Sequence, residues 1–357
     1  MKVLVTGATG FLGKYIIDEL VENNYKVVAF GRNEKVGKSL ENENVRFFKG
    51  DFTEKEDIIK IMNSQKSPES KINADLNHEN QTKSDLKVSR KYHTEEISAV
   101  IHAGGLSTVW GKWQDFYNSN VKGTENILEI CRIYKIKKLI FISSPSIYAE
   151  PKDQVNVREE EAPEENNLNF YIKSKIMAEK KIKEYADIPS VIIRPRGLFG
   201  VGDTSVIPRL LKLNRAKGIP LFNDGKQMVD VTCVENAAFA IRLALESENS
   251  SGQIYNITNN EPMAFKNILE LFFKEFGEKP HFIRKNYNTV KFFVNVIEKI
   301  YHLFGITKEP PITMYTLYLM RYSQTLNIQK AEKELNYKPK LSIAEGVKKY
   351  VEHNRKN

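Results

Sequence analysis

The stretch Lys2-Val-Leu-Val-Thr-Gly-Ala-Thr-Gly-Phe-Leu-Gly13 joins a short apolar strand to three regularly spaced glycines. Gly7 suits a tight turn from strand to helix, Gly10 lets backbone approach a ligand closely, and Gly13 lets the helix pack on the strand. The helix predicted over about residues 14–23 points its free N–H groups and its positive dipole end at this turn. We therefore expect the turn to hold the pyrophosphate of a dinucleotide, although the same glycines also suit a turn without a ligand.

Apolar strands and helical segments alternate through most of the remaining sequence. This alternation is typical of an α/β fold with a doubly wound parallel sheet, or Rossmann fold. We expect the Rossmann domain to cover residues 1–194 and to be completed by residues 229–257. A smaller C-terminal substrate lobe is expected from residues 195–228 and 258–357. The predicted strands after the first lie at residues 26–30, 45–49, 99–102, 138–142, 190–194 and 253–257, and a further helix is predicted over residues 234–245.

The bulk properties are those of a globular chain of 357 residues with a net charge of +9. No run approaches the roughly 18 consecutive apolar residues of a membrane span. The sequence enters a strand at once, without a basic and apolar leader, so we expect a cytoplasmic protein. Lysines interleave with glutamates and form no basic stripe, which argues against nucleic acid as a partner. Cys131 and Cys233 suit small core positions better than a disulfide or a metal site.

Two polar residues at strand ends bear on the choice of cofactor. Arg32 follows the second strand, where doubly wound folds meet the adenosine ribose, and an arginine there can donate to a 2′-phosphate. This favours NADP over NAD, unless Arg32 is an ordinary solvent-facing arginine. After the third strand, Asp51 could accept a hydrogen bond from the adenine amino group or cap the helix that begins near Glu54.

Residues 64–94 interrupt the alternation of strands and helices. The connection is longer than an α/β unit needs, and its composition is polar with apolar residues at no clear period. We expect a surface insertion that forms a mobile loop. A role in binding a partner is left open.

Small residues follow the fourth strand. Because ligands bind at the carboxyl ends of such strands, we expect the backbone of Ala103 and Gly104 to border the nicotinamide. His102 lies beside them, but a single histidine at a strand end is more often structural than catalytic. Trp110 and Trp113 could line the mouth of an apolar substrate site or pack in the core.

A long helix predicted over residues 114–134 contains Asn120. Asparagine is a poor helix former, so Asn120 either turns outward or hydrogen-bonds a buried partner. Ser143 and Ser144 directly follow the next strand, which places hydroxyl groups at the carboxyl edge of the sheet.

Tyr171 and Lys175 carry the clearest chemical signal in the sequence. They are four residues apart at the start of a predicted helix, so they share one face. A nearby ammonium group stabilises a phenolate and lowers the tyrosine pKa, which makes the phenol a usable proton donor and acceptor. This spacing is common on helices by chance, and it gains weight here because a serine and a nucleotide-binding turn are expected at the same sheet edge.

The glycine turn, the Ser144 edge and Tyr171-x-x-x-Lys175 together resemble the extended short-chain dehydrogenase/reductase superfamily. The segments Arg194-Pro-Arg-Gly-Leu-Phe-Gly-Val-Gly-Asp203 and Val229-Asp-Val-Thr-Cys-Val-Glu-Asn236 resemble its 3β-hydroxysteroid dehydrogenase-like branch. Within that branch the sequence is similar to 2-alkyl-3-oxoalkanoate reductases and to sterol-dehydrogenase-like proteins.

The resemblance implies a role for each matching residue. Tyr171 would be the general acid/base, and Lys175 would lower its pKa and bind the nicotinamide ribose. Ser144 would hydrogen-bond the substrate oxygen, and Asn120 corresponds to the asparagine of the family's central helix. Contacts with the cofactor are implied for Gly7, Thr9, Gly10, Phe11, Leu12, Gly13, Arg32, Asp51, Phe52, Ala103, Gly104, Tyr171, Lys175 and Pro195.

The expected substrate lobe contains an amphipathic segment at residues 289–305. Its Phe, Val and Ile residues recur at helical spacing between charged ones. The segment either packs on its own lobe or makes a peripheral contact with a membrane or a lipid-like substrate.

These observations predict an oxidoreductase that moves hydride between NADP(H) and a carbonyl or secondary alcohol of an apolar substrate, with NAD as the alternative cofactor. A nucleotide-sugar epimerase or dehydratase that recycles NAD is one rival, and the apolar, aromatic lobe argues against it. A non-catalytic NAD(P)-sensing scaffold is the other, and the intact set of Ser144, Tyr171 and Lys175 argues against that. A homodimer is left open.

Overall fold

A computed structural model describes residues 1–65, 96–204 and 206–356. At its centre seven parallel strands lie in the order β3-β2-β1-β4-β5-β7-β12, which confirms the predicted doubly wound α/β fold. From β1 the chain adds β2 and β3 on one side, and from β4 it adds β5, β7 and β12 on the other, so the strand order reverses between β1 and β4. Such a switch point is where ligands bind in these folds. The strands are β1 Lys2–Thr6, β2 Lys26–Gly31, β3 Val45–Lys49, β4 Ile97–His102, β5 Lys138–Ile142, β7 Ser190–Pro195 and β12 Ile254–Ile257.

Helices cover both faces of this sheet. Successive side chains of a strand point to opposite faces, so Val3 and Val5 of β1 enter one core while Leu4 enters the other. A strand buried on both faces needs apolar residues at almost every position, which is why these strands read as continuous apolar runs. The helices of the described chain are α1 Phe11–Glu22, α2 Glu34–Lys38, α3 Lys55–Ser64, α4 Trp113–Phe116, α5 Gly123–Ile133, α6 Phe170–Glu184, α7 Val206–Ala216, α8 Val234–Glu246, α9 Phe265–Phe276, α10 Tyr287–Leu303, α11 Met314–Arg321, α12 Gln329–Leu335 and α13 Ile343–Lys356.

Two helices near the sheet edge differ from their predicted bounds. Helix α1 begins at Phe11, three residues before the predicted start, because the helical turn follows Gly10 directly. The helix predicted over residues 114–134 is divided into α4 and α5 by a π-helical segment, Tyr117–Lys122. A π-helical turn accommodates one extra residue and is frequent at functional sites. Asn120 lies within it.

The second lobe stands over the carboxyl ends of the central strands. Its largest sheet has four strands in the order β13-β10-β15-β6, and two smaller pairs join β11 to β8 and β14 to β9. One of these strands, β6, comes from within residues 1–194, between β5 and β7. The strands are β6 Gln154–Val157, β8 Leu198–Phe199, β9 Ile219–Leu221, β10 Met228–Val229, β11 Thr232–Cys233, β13 Met263–Ala264, β14 Phe282–Arg284 and β15 Gln324–Leu326.

The chain returns to the main sheet near its C-terminus. Ile328, Ala331, Leu335 and Tyr337 are buried in the same core as β1 and α8. Part of the range 258–357 therefore packs on the Rossmann domain, and the exact division between domain and lobe stays a prediction. Of the predicted insertion at 64–94, only the end of α3 and Gln65 belong to the described residues.

Helix α10 packs on its lobe through Val294 and leaves a large apolar surface exposed. Phe292 is 65% exposed and Leu303 is 80% exposed. None of the helices in the described residues is both long enough and apolar enough to cross a bilayer. We call this surface the α10 apolar face, and its members are Phe292, Phe293, Val296, Ile300, Leu303, Phe304 and Ile306.

Candidate active site

The glycine turn after β1 is shaped by close contacts between backbones. Gly7 has φ of +68°, and a Cβ there would lie 2.6 Å from the backbone nitrogen of Gly104 and 2.8 Å from the carbonyl carbon of Ala103. A Cβ on Gly13 would overlap the carbonyl oxygen of Gly7. Glycine is therefore required at both positions, because the turn is pressed against the end of β4 and against the first turn of α1.

The start of α1 is suited to bind an anion. Gly10 occupies the N-cap position and has no side chain with which to cap the helix. Within the described residues, the backbone N–H groups of Phe11 and Leu12 have no hydrogen-bond partner. Free N–H groups at the positive end of a helix bind phosphate groups, so the turn fits the pyrophosphate of a dinucleotide.

Arg32 and Asp51 lie side by side beyond the ends of β2 and β3. The Arg32 side chain is 77% exposed, and its Nη1 lies 3.5 Å from Oδ2 of Asp51. Asp51 Oδ1 accepts hydrogen bonds from the backbone N and the hydroxyl of Thr53, at 3.0 and 2.9 Å. The proposed capping role of Asp51 is wrong, since Glu54 is the N-cap of α3 and Asp51 instead holds the turn before it. Arg32 can reach a ligand at this edge because exposure leaves its guanidinium free to move.

Phe52 fills a slot that two glycines leave open. A Cβ on Gly104 or Gly123 would lie 2.5 or 2.6 Å from the Phe52 ring. The ring also meets His102 edge to face, with 5.1 Å between the ring centroids. Phe52 and Gly104 thus form one packed wall next to the glycine turn, beside Ala103.

His102 is a structural residue in this protein. Its Nδ1 lies 2.6 Å from the hydroxyl of Thr6, and its Nε2 lies 3.3 Å from that of Thr124. Complete burial lowers the pKa of His102 to about 3, so the ring is neutral at physiological pH. The Thr6 hydroxyl also accepts a hydrogen bond from the Gly104 N–H, which ties β1 to the end of β4.

Asn120 joins the loop after β4 to the helix that carries Tyr171 and Lys175. Its side chain accepts a hydrogen bond from the backbone N of Leu106 at 2.7 Å and donates to the Leu106 carbonyl at 3.0 Å. The same amide donates to the Ser174 hydroxyl at 2.9 Å. Of the two alternatives left by the sequence, Asn120 therefore takes the one in which it hydrogen-bonds buried partners.

Ser144 and Tyr171 come together at the carboxyl edge of the sheet. The Ser144 hydroxyl lies close enough to the Tyr171 phenol to lower its pKa, but burial has the larger effect and raises that pKa to about 12. Ser144 is itself held 2.9 Å from the hydroxyl of Ser146. The phenol is therefore protonated at neutral pH, which is the form that can give a proton to a carbonyl oxygen.

Lys175 lies beneath the same edge. Its Nζ donates to the carbonyl of Ile142 at 2.8 Å and stands 4.8 Å from the centroid of the Phe141 ring. Burial lowers the pKa of Lys175 to about 8. Within the described part of the chain, Lys175 does not contribute to the shift in the pKa of Tyr171. Its role as the partner that lowers this pKa stays a prediction for the protein with bound cofactor.

A buried ion pair supports the site from below. Arg194 at the end of β7 donates from Nε to Oε1 of Glu179 at 2.9 Å and from Nη2 to Oε2 at 2.5 Å. The Ser143 hydroxyl donates to the same carboxylate at 2.5 Å. Ser143 is thus engaged with Glu179, whereas Ser144 is the serine that faces Tyr171.

Two further residues, Tyr315 and Arg196, border the site and were absent from the sequence prediction. The Tyr315 phenol lies beside Ser146 and close to both Tyr171 and Arg196. Arg196 follows Pro195 directly and is only 8% exposed. Its position in the Arg194-Pro-Arg segment was the available signal, whereas nothing in the sequence links Tyr315 to a site 144 residues earlier.

A cavity of about 100 Å³ opens beside Tyr315. Trp110 lies in its wall and donates from Nε1 to the carbonyl of Ile306 at 2.9 Å, so it also joins the loop after β4 to the second lobe. Trp113 packs against Phe170 at 5.7 Å between ring centroids. The residues that line the cavity are mostly aromatic or neutral, namely Val109, Trp110, Gly111, Asn167, Leu168, Asn169, Phe170, Glu298, His302, Thr313 and Tyr315.

A dinucleotide turn at the switch point and a Ser-Tyr-Lys set at the next strand end define an NAD(P)-dependent enzyme of the extended short-chain dehydrogenase/reductase class. The model of the NAD dependent epimerase/dehydratase family matches residues 3–85 and 67–258. The chain belongs to that family. It is an oxidoreductase that acts on CH–OH or C=O groups.

Curated relatives extend over almost the whole chain. A 2-alkyl-3-oxoalkanoate reductase of Stenotrophomonas maltophilia is 26% identical and covers 98% of both chains. A decarboxylating sterol-4-alpha-carboxylate 3-dehydrogenase of Schizosaccharomyces pombe is 29% identical over 97% of this chain and 95% of its own. Among solved structures, UDP-glucuronic acid 4-epimerase from Bacillus cereus in complex with NAD matches with a TM-score of 0.68, 24% identity and 99% coverage of both chains. The first two place the chain in the predicted 3β-hydroxysteroid dehydrogenase-like branch, and the third supports the fold.

Proposed function

We propose that this protein is an NADP(H)-dependent reductase or dehydrogenase of an apolar ketone or secondary alcohol. The observation that carries the proposal is the hydrogen bond from Lys175 to the carbonyl of Ile142 at the end of β5, which brings the helix of Tyr171 and Lys175 to the strand end that Ser144 follows. The glycine turn suited to a pyrophosphate lies at the same edge of the sheet. When bound, the nicotinamide cofactor supplies or accepts the hydride. The residues of the chain supply orientation and move the proton.

Each candidate residue has a part in that proton transfer. Tyr171 gives its phenolic proton to the substrate oxygen during reduction and removes it during oxidation. Ser144 donates a hydrogen bond to the same oxygen, which polarises the carbonyl. Lys175 holds the nicotinamide ribose and its positive charge favours the phenolate form of Tyr171 once the proton has left. Asn120 keeps the helix that bears both residues fixed against the loop after β4.

The substrate is proposed to be a 3-oxoacyl or 3β-hydroxysteroid-like molecule. Trp110, Phe170 and Tyr315 in the wall of the cavity offer an apolar body flat ring surfaces on which to pack. The two relatives reported above are named for an oxoalkanoate and for a sterol carboxylate, so each name combines an apolar body, a reacting oxygen at carbon 3 and a carboxylate. We extend that combination to this chain.

The first test is NADPH absorbance with purified protein and long-chain 3-oxoacyl compounds and ketosteroids. A nucleotide-sugar panel is run beside them, and products are separated by chromatography. We expect stoichiometric NADPH oxidation with an apolar ketone. If NADPH is not consumed while a sugar nucleotide is converted, the cofactor is recycled and the epimerase alternative is correct.

Arg32 is proposed to select NADP over NAD. Arg32→Ala should raise the Kd of NADPH by about 10- to 100-fold, because it removes charge-assisted hydrogen bonds to the 2′-phosphate, and should change the Kd of NADH by about twofold or less. Both constants are measured by cofactor fluorescence. Arg46→Ala is the matched control, since Arg46 is also exposed but lies at the opposite end of β3. Equal losses for both cofactors would remove Arg32 from the selection.

The α10 apolar face is proposed to contact a lipid surface, with the protein otherwise in the cytoplasm. Lys299 and Lys308 are exposed beside the face and complement anionic headgroups. We expect wild-type protein to sediment with phosphatidylglycerol vesicles, and Phe292→Ser/Phe293→Ser/Phe304→Ser to reduce the bound fraction at least about fivefold. Ile133→Ser/Val155→Ser changes exposed apolar residues elsewhere and is the control. If the triple variant instead abolishes a dimer seen by light scattering and binds vesicles normally, the face joins two copies of the chain.

A further inference from the structure

Arg196 has a fixed position at the edge of the candidate active site. Its backbone N donates to the Ile257 carbonyl at 3.0 Å, and its carbonyl accepts from the Thr232 hydroxyl at 2.5 Å. The residue lies directly after Pro195, the predicted nicotinamide contact. Only 8% of its surface is exposed, so its side chain has little freedom to reach bulk solvent.

The charge of Arg196 is unpaired in the described part of the chain. Its guanidinium makes no hydrogen bond and no ion pair within 4 Å there, and its Nε is buried without a partner. Arg194, two residues earlier at the same strand end, is also buried but pairs with Glu179. A buried guanidinium without a partner is strongly disfavoured, which calls for a ligand that completes it.

The groups around Arg196 leave room for an anion as the partner of its guanidinium. Asp230 is near enough for the two charges to interact, but its Oδ2 accepts from the backbone N of Leu326 at 2.7 Å and is not paired with the guanidinium. Tyr315 is also close to Arg196 and lies beside Ser146, whose hydroxyl is 2.9 Å from that of Ser144. An anion held by Arg196 would therefore share one polar cluster with the proton donor.

We propose that Arg196 binds a carboxylate of the substrate. The inference rests on the proposed function and adds the residue that recognises the carboxylate of a 3-oxo or 3-hydroxy acid. The planar fork of arginine matches the two oxygens of a carboxylate, and in a buried site such a pair is strong. The carboxylate positions the apolar substrate so that its oxygen meets Ser144 and Tyr171, and it takes no part in bond making.

The test compares an acid with its uncharged ester. The purified protein and NADP⁺ are given a 2-alkyl-3-hydroxy fatty acid or its methyl ester, which differ only in the negative charge. In the oxidation, hydride leaves carbon 3 for NADP⁺, and the hydroxyl proton goes to the phenolate of Tyr171. We expect wild-type kcat/KM to favour the acid, and Arg196→Met to lower the acid-to-ester ratio about 100-fold.

A conservative variant guards against a purely structural effect. Arg196→Lys keeps the charge but loses the fork, and we expect it to lower the ratio about tenfold. If Arg196→Met does not fold, the acid-to-ester ratio of Arg196→Lys tests the carboxylate role. An unchanged ratio in the variants, with wild type active on both compounds, overturns the carboxylate role and leaves the proposed function intact. Wild-type protein that oxidises neither compound, nor any other alcohol of the panel, overturns the proposed function and this inference with it.

Discussion

Tyr171→Phe is expected to lower kcat by roughly 10²- to 10⁴-fold, the range in which a positioned proton donor contributes to rate. The substitution removes a single hydroxyl from the group that exchanges a proton with the substrate oxygen. The phenol has its pKa raised to about 12 by burial, so it is protonated in the resting enzyme and ready for reduction. Since the ring remains, packing against Ile147 and Ile172 should be preserved.

The measurement is steady-state kinetics with NADPH, alongside cofactor titration by fluorescence. NADPH should bind to the variant within about threefold of wild type, because the glycine turn is untouched. Tyr134→Phe is the control, since its hydroxyl contacts Asn63 at an exposed site away from the carboxyl edge of the sheet. Near-normal turnover by Tyr171→Phe would refute its role as general acid/base.

Arg194→Met should lower the free energy of unfolding by about 3–5 kcal/mol. The substitution leaves the carboxylate of Glu179 buried without its cation. The Arg194 and Glu179 side chains are 1% and 6% exposed, so water cannot replace the lost partner. Arg194 also donates to the Glu159 carbonyl at 3.0 Å, and that acceptor would lose its donor.

Urea unfolding followed by circular dichroism provides the measurement. Arg132→Met is the matched control, because Arg132 makes a two-point pair with Asp187 in which the two side chains are 50% and 54% exposed. Exposed pairs contribute about 1 kcal/mol or less, so the control should be nearly as stable as wild type. Equal losses in the two variants would mean that burial does not govern the strength of the Arg194 pair.

The fold was predictable because burial on both faces leaves a direct trace in sequence. A central parallel strand such as β1 must be apolar throughout, and a glycine turn must follow it if backbone is to contact β4. The start of α1 was placed too late because the helix begins inside the glycine motif, directly after Gly10. The π-helical turn at Asn120 was not predicted, and the Asn120 side chain within it hydrogen-bonds Leu106 and Ser174, which are distant in sequence.

The candidate site was predictable only where its residues form local motifs. Tyr171 and Lys175 share one helix, so their spacing is visible, whereas the partner of Ser143 is found only when Glu179 is seen beneath the sheet. The unpaired state of Arg196 could not be read from sequence at all. Whether a charge is matched depends on which chain segments meet around it, and those segments are more than 30 residues away.

The small four-stranded sheet has a consequence for engineering. Its strands come from residues 154–157, 228–229, 263–264 and 324–326, and between them the chain passes twice through the central sheet. Substrate preference cannot therefore be transferred from a relative as one contiguous segment. A segment that contains all four strands of the small sheet also replaces strands of the central sheet, and a shorter one leaves part of the small sheet behind. Chimeras of such enzymes need several simultaneous crossovers, whereas point substitutions at residues that line the cavity, such as Tyr315, leave the order of the strands intact.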